Sequence, residues 1–409
     1  MERSQCVTFL SHCDVSSIFF SPCARRASSP SQSDPPPPPA GVASPSTWKR
    51  LGPAILGDAA DDYLGTSVVL SADARTLAVG APGYYEDVEK MGYVRVHRLR
   101  LEGGGGGGSG FGSNDWTQLG QTIYGNATED QSGFSVDVTP NGTVLAIGSP
   151  GIYGNDNQPG YVRVYSLEDD DGDLGAVSWE QLGQDIVGEV VGDGFGVCVS
   201  ISEDGKTIAV GADTSNGNGE DSGSVRIFRL DDDRTRWEQL GQDIDGEAAW
   251  DNSGASVSLS WDGGTVAIGS MYNSENGTDS GQVRVYHINS VGWLWERLGQ
   301  IIYGDRADVY AGWSVDISPS GDTLAVGYPG KYDKHDRPGY MRVYNYLDGG
   351  GCGPVSGIWK QTGREIAGEA NGDEFGVSVS LSLDGRTLAV GAQVNNGRSG
   401  ENSDQVRVY

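Results

Sequence analysis

Trp179-Glu-Gln-Leu-Gly183 opens a stretch that continues through Phe195-Gly-Val-Cys-Val-Ser-Ile201, Thr207-Ile-Ala-Val-Gly211 and Val225-Arg-Ile-Phe228. Within these segments, apolar residues form short runs or alternate with small polar residues. Alternation with a period of two is typical of β-strands. Asp204-Gly205 lies between the second and third segments, and Asp-Gly between apolar runs predicts a tight hairpin because Gly accepts positive φ. The stretch therefore predicts a four-stranded antiparallel unit.

The same unit recurs six times, and each copy opens at a Trp. Successive Trp residues lie 68, 63, 58, 58 and 64 residues apart, at Trp48, Trp116, Trp179, Trp237, Trp295 and Trp359. A period near 60 residues is typical of stacked or circular arrays of supersecondary units. We expect a disordered Ser/Pro-rich leader or linker at residues 1–47, and then repeats at 48–115, 116–178, 179–236, 237–294, 295–358 and 359–409.

A lone sheet of this kind exposes an apolar face, so neighbouring sheets must cover it. A ring of sheets, the β-propeller, does so without leaving long exposed edges. The sequence therefore predicts an all-β fold, a six-bladed β-propeller of four-stranded antiparallel blades. We expect the strand from Trp48 to Ile55 to complete the blade that ends at Tyr409 and thereby close the ring. The alternative is a truncated seven-bladed propeller.

Charge and cysteine content exclude several classes of partner. The 409 residues include 56 acidic and 28 basic ones, for a net charge of −28. This balance disfavours nucleic acid and anionic membranes, whose phosphates require a basic surface, and permits cations, basic proteins and neutral glycans. No apolar run reaches the roughly 18 residues of a membrane span. The five cysteines form neither a disulfide framework nor a CxxC metal pair.

One Arg recurs in the fourth strand of every unit. In five units an acid lies five places after the Gly that opens a preceding loop, and the fifth unit shifts this acid to Asp308. A largely buried guanidinium requires a carboxylate or several carbonyl partners. We therefore predict one structural ion pair per blade, and the alternative is a ring of acids that binds cations. The arginines are Arg95, Arg163, Arg226, Arg284, Arg342 and Arg407, and the acids are Asp62, Asp130, Asp193, Asp251, Asp308 and Asp373.

A second group of carboxylates precedes the third repeat. Asp169, Asp171 and Asp173 alternate along a loop in which Gly172 permits a turn, so they are candidate calcium ligands. A full calcium site needs about six oxygen ligands, and no closing acid follows. The alternative is a solvated acidic turn. No cofactor is indicated by the sequence, and calcium is the one metal that it suggests.

The loops between the third and fourth strands vary most from unit to unit. They emerge on the same face of the ring as the loops that lead into the Phe-Gly strand, and variable loops on a rigid frame commonly carry binding sites. Tyr, Asn and Asp in such loops suit contacts with proteins or sugars. The alternative is a set of ordinary surface turns. The candidate ligand-face residues are Tyr84, Tyr85, Tyr153, Tyr272, Tyr332 and His335.

Two landmarks of the repeats resemble a known family. Phe195-Gly196 and Phe375-Gly376 lie at one strand, and Gly80-Ala81-Pro82 lies at the next. They resemble the FG and GAP elements of FG-GAP repeats, the propeller units of integrin α-chains. The resemblance implies an extracellular or cell-surface role in adhesion or recognition. The family's Asp-rich calcium loop has no counterpart here, because a tight hairpin with at most one Asp takes its place.

The leading functional hypothesis is a non-catalytic scaffold that presents loops on one propeller face to a protein or glycan ligand. The chain shows no HExxH, GxSxG or phosphate-binding loop, so we expect no enzyme activity. The alternative is a carbohydrate-active enzyme that uses carboxylates near the central channel. A third hypothesis is a purely structural module. His12 and Asp14 interrupt the N-terminal apolar patches, so no convincing signal peptide is present, and a cytoplasmic location stays open.

Overall fold

The structure is a computed structural model that describes residues 51–83, 91–100, 115–151, 159–168, 177–289, 291–330, 337–349, 357–392 and 405–409. These residues form strands, turns and no helix. The strands group into six antiparallel sheets in chain order. The structure therefore confirms the prediction of an all-β protein with six sheets arranged as a β-propeller. The predicted leader at residues 1–47 lies outside the described residues.

The first three sheets have five strands each. The first contains β1 (Ser67–Leu70), β2 (Thr76–Ala81), β3 (Tyr93–Arg100), β4 (Asp115–Gln118) and β5 (Ile123–Tyr124). The second contains β6 (Ser135–Val138), β7 (Val144–Ser149), β8 (Tyr161–Glu168), β9 (Ser178–Gln181) and β10 (Ile186–Val187). The third contains β11 (Phe195–Ile201), β12 (Thr207–Ala212), β13 (Ser224–Leu230), β14 (Trp237–Gln239) and β15 (Ile244–Asp245).

The last three sheets follow the same plan with fewer strands toward the end. The fourth contains β16 (Ser253–Leu259), β17 (Thr265–Ser270), β18 (Gln282–Asn289), β19 (Leu294–Arg297) and β20 (Ile302–Tyr303). The fifth contains β21 (Val315–Ile317), β22 (Thr323–Tyr328), β23 (Tyr340–Leu347) and β24 (Ile358–Ala367). The described strands of the sixth are β25 (Phe375–Leu381), β26 (Leu388–Ala392) and β27 (Gln405–Val408).

Each sheet is a meander whose outer edge comes from the next repeat. In the third sheet, β11 pairs with β12, β12 with β13, and β13 with both β14 and β15. The Trp strand of one repeat thus completes the sheet of the preceding one. Asp204-Gly205 forms the predicted hairpin turn, with φ +68° at Gly205. The Asp204 carboxylate accepts the Ser202 hydroxyl and the Lys206 amide, which fixes the turn.

Neighbouring sheets are joined through the glycines that define the repeat. The Ser135 hydroxyl donates to the Gly196 carbonyl at 2.8 Å, and the same bond joins Ser67 to Gly133 at 2.7 Å. A Cβ on Gly148 would lie 2.1 Å from the Gly196 oxygen. Glycine is therefore required where two inner strands cross this closely.

The core consists of clusters that lie between adjacent sheets. In one of them, Val162 and Val164 of the second sheet pack with Phe195, Val210 and Phe228 of the third. Each apolar face is thus covered by the next sheet, which is the arrangement that a propeller requires.

The recurring Trp fastens each repeat to the one before it. The Trp237 indole N–H donates to the Leu182 carbonyl at 2.8 Å. The Gln184 side-chain oxygen accepts a hydrogen bond from the Trp237 backbone amide, and its side-chain amide donates one to the Trp237 carbonyl, both at 2.8 Å. Trp179, Trp295 and Trp359 are held in the same way by Gln121, Gln242 and Gln300. We call this Leu-Gly-Gln contact the Trp clasp.

The strand predicted to close the ring is described only in part. Trp48 lies outside the described residues, and residues 51–55 carry no strand in the structure. The Leu51 carbonyl accepts the Trp116 indole N–H at 3.0 Å, as Leu182 accepts that of Trp237. The segment around Leu51 therefore takes the place of a Trp strand beside the first sheet. Its pairing with β27 stays a prediction.

Candidate functional site

A cleft of about 650 Å³ opens between the loops of the third and fourth sheets. Its walls come from the β12–β13 loop, the segment between β15 and β16, and the β17–β18 loop. Strand direction alternates, so these three segments lie on the same face of the ring, as the sequence predicted for variable loops. The lining residues are Thr214, Asp221, Ala248, Ala249, Trp250, Asp251, Asn252, Tyr272, Asn273, Ser274, Glu275 and Asp279.

Trp250 is the largest exposed side chain of this cleft, and backbone hydrogen bonds set its position. The Trp250 amide donates to the Glu220 carbonyl at 2.7 Å, and the Asn252 amide donates to the Asp221 carbonyl at 3.0 Å. Trp250 has φ +68°, a conformation that a bulky residue rarely adopts. Its side chain is 54% exposed. The β12–β13 loop therefore holds the Trp250 backbone at the cleft in an unfavourable conformation.

The opposite wall is built on the fourth sheet. The Tyr272 ring meets the Tyr310 ring edge-on, with centroids 5.4 Å apart. The Asn273 side-chain amide donates to the Asp251 carboxylate at 3.0 Å, and the Ala248 backbone amide donates to it at 3.1 Å. Burial raises the pKa of Asp251, and the Asn273 and Ala248 hydrogen bonds oppose that rise.

The cleft is acidic. Asp221, Asp251, Glu275 and Asp279 contribute carboxylates, and the described residues that line it include no Lys or Arg. An aromatic surface flanked by carboxylates and amides can bind a cation or hydrogen-bond a sugar.

The predicted ligand-face residues are placed only in part. Tyr272 lies in the cleft wall. Tyr84, Tyr85, Tyr153, Tyr332 and His335 lie outside the described residues. Sequence reasoning missed Trp250 as a site residue. The signal for it is a Trp outside the Trp period, in a loop whose neighbours are small or polar.

Five of the six recurring arginines form ion pairs with acids other than the predicted partners. Most pair with the acid that directly follows the loop Gly, or with an acid on the adjacent strand. The pairs are Arg95–Asp58, Arg163–Asp185 at 2.9 Å, Arg226–Glu189 at 3.1 Å, Arg342–Asp305 at 2.7 Å, Arg342–Glu365 at 2.9 Å and Arg407–Glu369 at 3.2 Å. These acids are more exposed than the arginines, so each guanidinium on a sheet pairs with a carboxylate nearer the solvent.

Arg284, in the fourth sheet, is held by neutral groups. It donates to the Asp245 carbonyl and the Ser253 hydroxyl, both at 2.8 Å, and to the Tyr286 hydroxyl at 3.0 Å. Its charge lowers the pKa of Asp251, though burial is the stronger influence there and raises it. Arg284 does not line the cleft, but its charge acts on Asp251 from the adjoining strand.

The acids predicted as arginine partners brace their own loops. The Asp130 carboxylate accepts the Asn126 and Ala127 amides at 2.7 and 2.9 Å and the Tyr161 hydroxyl at 2.6 Å. Burial and this hydrogen bond raise the pKa of Tyr161. A carboxylate five places after Gly thus lies within reach of that loop's own amides.

The remaining predicted acids follow this pattern with variations. Asp62 and Asp373 each accept two amides from the start of their loops, at 2.8–2.9 Å. Burial raises the pKa of Asp193, and the nearby Arg226 charge opposes the rise. The Asp308 amide donates to the Thr278 carbonyl at 2.8 Å, which fixes that loop through its backbone.

The structure does not test the hypothesis of a calcium site. Asp169, Asp171 and Asp173 lie outside the described residues. Among the residues that the structure does describe, no cluster of three or more His, Cys, Asp or Glu has the geometry of a metal site. Those residues also contain no helix long and apolar enough to cross a bilayer.

A family model for the FG-GAP repeat matches residues 189–228. This segment of the propeller is similar to the FG-GAP repeat. The matched segment spans the loop acid Glu189, the Phe195-Gly196 strand and the Arg226 strand of the third sheet. The match thus runs from the Phe-Gly strand to the Arg strand of one repeat. The other repeats of the chain resemble this segment.

The chain also resembles solved structures at low sequence identity. A periplasmic gluconolactonase from Pseudomonas aeruginosa is 16% identical, with 87% of this chain and 90% of that chain covered and a TM-score of 0.46. A putative TolB from Agrobacterium tumefaciens is 15% identical, with 83% and 88% covered and a TM-score of 0.39. Such similarities carry no inference about activity. No curated protein matches the sequence significantly.

Proposed function

We propose that this FG-GAP propeller is a non-catalytic recognition scaffold whose protein or glycan ligand docks at the cleft around Trp250. The observation that carries the proposal is the side chain of Trp250, which is 54% exposed, on a backbone segment that hydrogen bonds join to the loop of the preceding sheet. Binding sites concentrate on loops that a rigid frame positions, and exposed Trp and Tyr dominate binding energy at such sites.

The size and composition of the cleft support this proposal. Its volume of about 650 Å³ falls within the range of roughly 300–1,000 Å³ that is typical of ligand sites. Tyr272 and Trp250 supply aromatic surface, and Asn252, Asn273 and Ser274 supply polar groups for orientation. This mixture of rigid aromatic and adaptable polar side chains is typical of recognition surfaces.

Two buried carboxylates on inner strands support the scaffold over the carbohydrate-active enzyme. Asp137 accepts the Val138 and Ile201 amides at 2.9 and 2.8 Å. Asp316 accepts the Ser258 hydroxyl at 3.0 Å and the Leu381 amide at 2.7 Å. Both carboxylates thus join the inner strands of consecutive sheets. A glycosidase pair needs one free base and one acid of raised pKa facing the same substrate.

A binding survey tests the proposed function. The wild type, Trp250→Ala and Trp293→Ala are each applied to a peptide array and a glycan array. Trp293 is a matched control, because it is 51% exposed and has φ +53° but lies in the turn before β19. We expect a set of ligands that the wild type and Trp293→Ala bind and Trp250→Ala loses. Identical binding by all three proteins would refute the proposal.

Two further parts of the proposal concern the location of the protein and a bound calcium ion. We place it outside the cell or at its surface, in adhesion or recognition, because FG-GAP repeats are typically extracellular. Calcium held by Asp169, Asp171 and Asp173 is proposed to stabilise it. Thermal unfolding with calcium and with chelator tests this second feature, and an unchanged melting temperature would remove calcium from the account.

A further inference from the structure

We infer that Asn216 is a site of spontaneous modification, at which the Gly217 backbone nitrogen displaces the Asn216 side-chain nitrogen. The pair lies in the β12–β13 loop, between Thr214 and Asp221 of the cleft lining. Among the Asn-Gly pairs that the structure describes, this one alone leaves both reacting nitrogens without a hydrogen bond. The modification changes this loop whichever ligand the cleft binds.

An Asn-Gly pair can close a five-membered ring on itself. The glycine nitrogen attacks the side-chain carbonyl carbon of the Asn, and because the two residues are adjacent, proximity favours the attack. A new C–N bond forms, the bond to the side-chain nitrogen breaks, and ammonia leaves with the proton of the glycine amide. Water then opens the succinimide at either carbonyl, which gives Asp or isoaspartate. Glycine favours the reaction because it has no Cβ to shield its nitrogen.

Two of the described Asn-Gly pairs are restrained at the glycine amide. The Gly142 amide donates to the Thr139 carbonyl, and the Gly372 amide donates to the Arg337 carbonyl, both at 2.7 Å. Each bond must open before the nitrogen can attack, and such local opening costs free energy. A further pair, Asn396-Gly397, lies outside the described residues. The described pairs are Asn141-Gly142, Asn216-Gly217, Asn218-Gly219, Asn276-Gly277 and Asn371-Gly372.

Two more of these pairs are restrained at the Asn side chain. The Asn218 side-chain amide donates to the Gly246 and Glu247 carbonyls, both at 3.0 Å. The Asn276 side-chain amide donates to the Gly304 carbonyl at 2.6 Å. These bonds hold the nitrogen that has to leave, and the glycine amides of both pairs also donate, each at 3.3 Å.

Asn216-Gly217 carries neither restraint. Asn216 is exposed, and in the described part of the chain neither its side-chain nitrogen nor the Gly217 amide donates a hydrogen bond. The Asn216 side-chain oxygen accepts the Asp221 backbone amide at 2.9 Å. A donor at this oxygen assists the attack, because negative charge develops on the oxygen as the new bond forms. The nucleophile and the leaving group are thus free, and the carbonyl between them is polarised.

The product changes the loop that holds the Trp250 backbone. The Glu220 and Asp221 carbonyls accept the Trp250 and Asn252 amides at 2.7 and 3.0 Å. A carboxylate in place of the neutral side-chain amide adds negative charge to a cleft that is already acidic. Isoaspartate also lengthens the main chain by a methylene group. Either product therefore disturbs the contact between the β12–β13 loop and the segment that carries Trp250.

The test incubates the full-length protein at neutral pH and physiological temperature over weeks, once folded and once unfolded in guanidinium chloride. Tandem mass spectrometry of tryptic peptides gives a deamidation rate for each Asn-Gly pair, with an unincubated sample as the baseline. The peptide from Thr207 to Arg226 carries both Asn216 and Asn218, so two pairs are compared within one fragment. The unfolded protein supplies the rate that each pair has without structure.

In folded protein, Asn216 should deamidate within about three-fold of its unfolded rate, since an exposed loop opens at little cost. Asn141 and Asn371 should deamidate at least about ten-fold more slowly than in the unfolded chain, because their glycine amides must open first. Hydrogen exchange of residues 248–252 should quicken as the modified fraction grows.

Asn216→Ser is the matched control. Ser274 holds the corresponding position in the β17–β18 loop, where its hydroxyl accepts the Asp279 amide at 3.0 Å. The variant keeps an acceptor at position 216 and carries no side-chain amide to lose. It should show neither the modification nor the faster exchange, and the rates at the other Asn-Gly pairs should stay as in the wild type.

Three results would overturn the inference. Folding could protect Asn216 as strongly as it protects Asn141. Asn218 could deamidate as fast as Asn216 in folded protein, which would show that the hydrogen bonds do not decide between the pairs. Exchange of residues 248–252 could stay unchanged in aged wild type, or quicken equally in Asn216→Ser, in which case the modification does not reach the Trp250 segment.

Discussion

Removing the Gln side chain from one Trp clasp tests how the repeats are held together. In Gln184→Ala, the third repeat loses the two hydrogen bonds that Gln184 makes with the Trp237 backbone, both at 2.8 Å. A hydrogen bond contributes about 0.5–1.5 kcal/mol net, and a buried donor left unpaired costs more than the average. Trp237 is only 3% exposed, so water does not readily replace the lost partner. We expect a loss of about 2 kcal/mol of unfolding free energy.

The assay is denaturant unfolding followed by circular dichroism, together with hydrogen exchange of the Trp237 amide. The midpoint should fall, and the Trp237 amide should exchange faster in the variant. Gln361→Ala is the matched control, because Gln361 makes a single 3.4 Å contact within its own strand. Equal stability of Gln184→Ala and Gln361→Ala, with unchanged exchange at Trp237, would refute the role assigned to the clasp.

Other consequences can be measured in the same way. Burial raises the pKa of Glu374 from 4.5 to about 7, so folding favours the protonated carboxyl. The free energy of unfolding should therefore fall by about 3 kcal/mol between pH 4.5 and pH 7. Glu374→Gln should abolish this pH dependence, and an unchanged pH dependence in the variant would contradict the assignment. Arg226→Ala should cost about 2 kcal/mol and Glu189→Gln under about 1, because only the arginine is buried; chemical unfolding that shows equal losses would count against it. Gly148→Ala should cost about 3 kcal/mol, because its Cβ meets the Gly196 carbonyl; wild-type stability would show that the sheets can separate there.

The fold was largely predictable because its signals are local and repeated. Alternation along residues such as Phe195 to Ile201 predicts a strand, and Asp204-Gly205 predicts the hairpin that joins it to the next. Six copies in register predict neighbouring sheets that cover one another's apolar faces. The joint between Ser135 and Gly196 was not predictable, since it depends on how closely two inner strands cross.

The candidate site was predictable only as a region. Variable loops on one face were expected, and Tyr272 was selected in one of them. Trp250 was missed, because exposure depends on how the β12–β13 loop holds the next loop in space. The acids that pair with Arg95, Arg163, Arg226, Arg342 and Arg407 were not predictable for a related reason. Spacing showed that an acid recurs near each loop Gly, but it could not show that this carboxylate, as in Asp130, accepts hydrogen bonds from the amides of its own loop.

Quenching of Trp250 fluorescence tests the central claim most directly, since that claim is an exposed indole in an acidic cleft. The difference between wild-type and Trp250→Ala emission reports this residue alone, and caesium and iodide ions differ in charge as quenchers. We predict that caesium quenches this difference emission more strongly than iodide does, and that added salt narrows the gap. Difference emission that neither ion quenches, or that iodide quenches more strongly, would contradict the account.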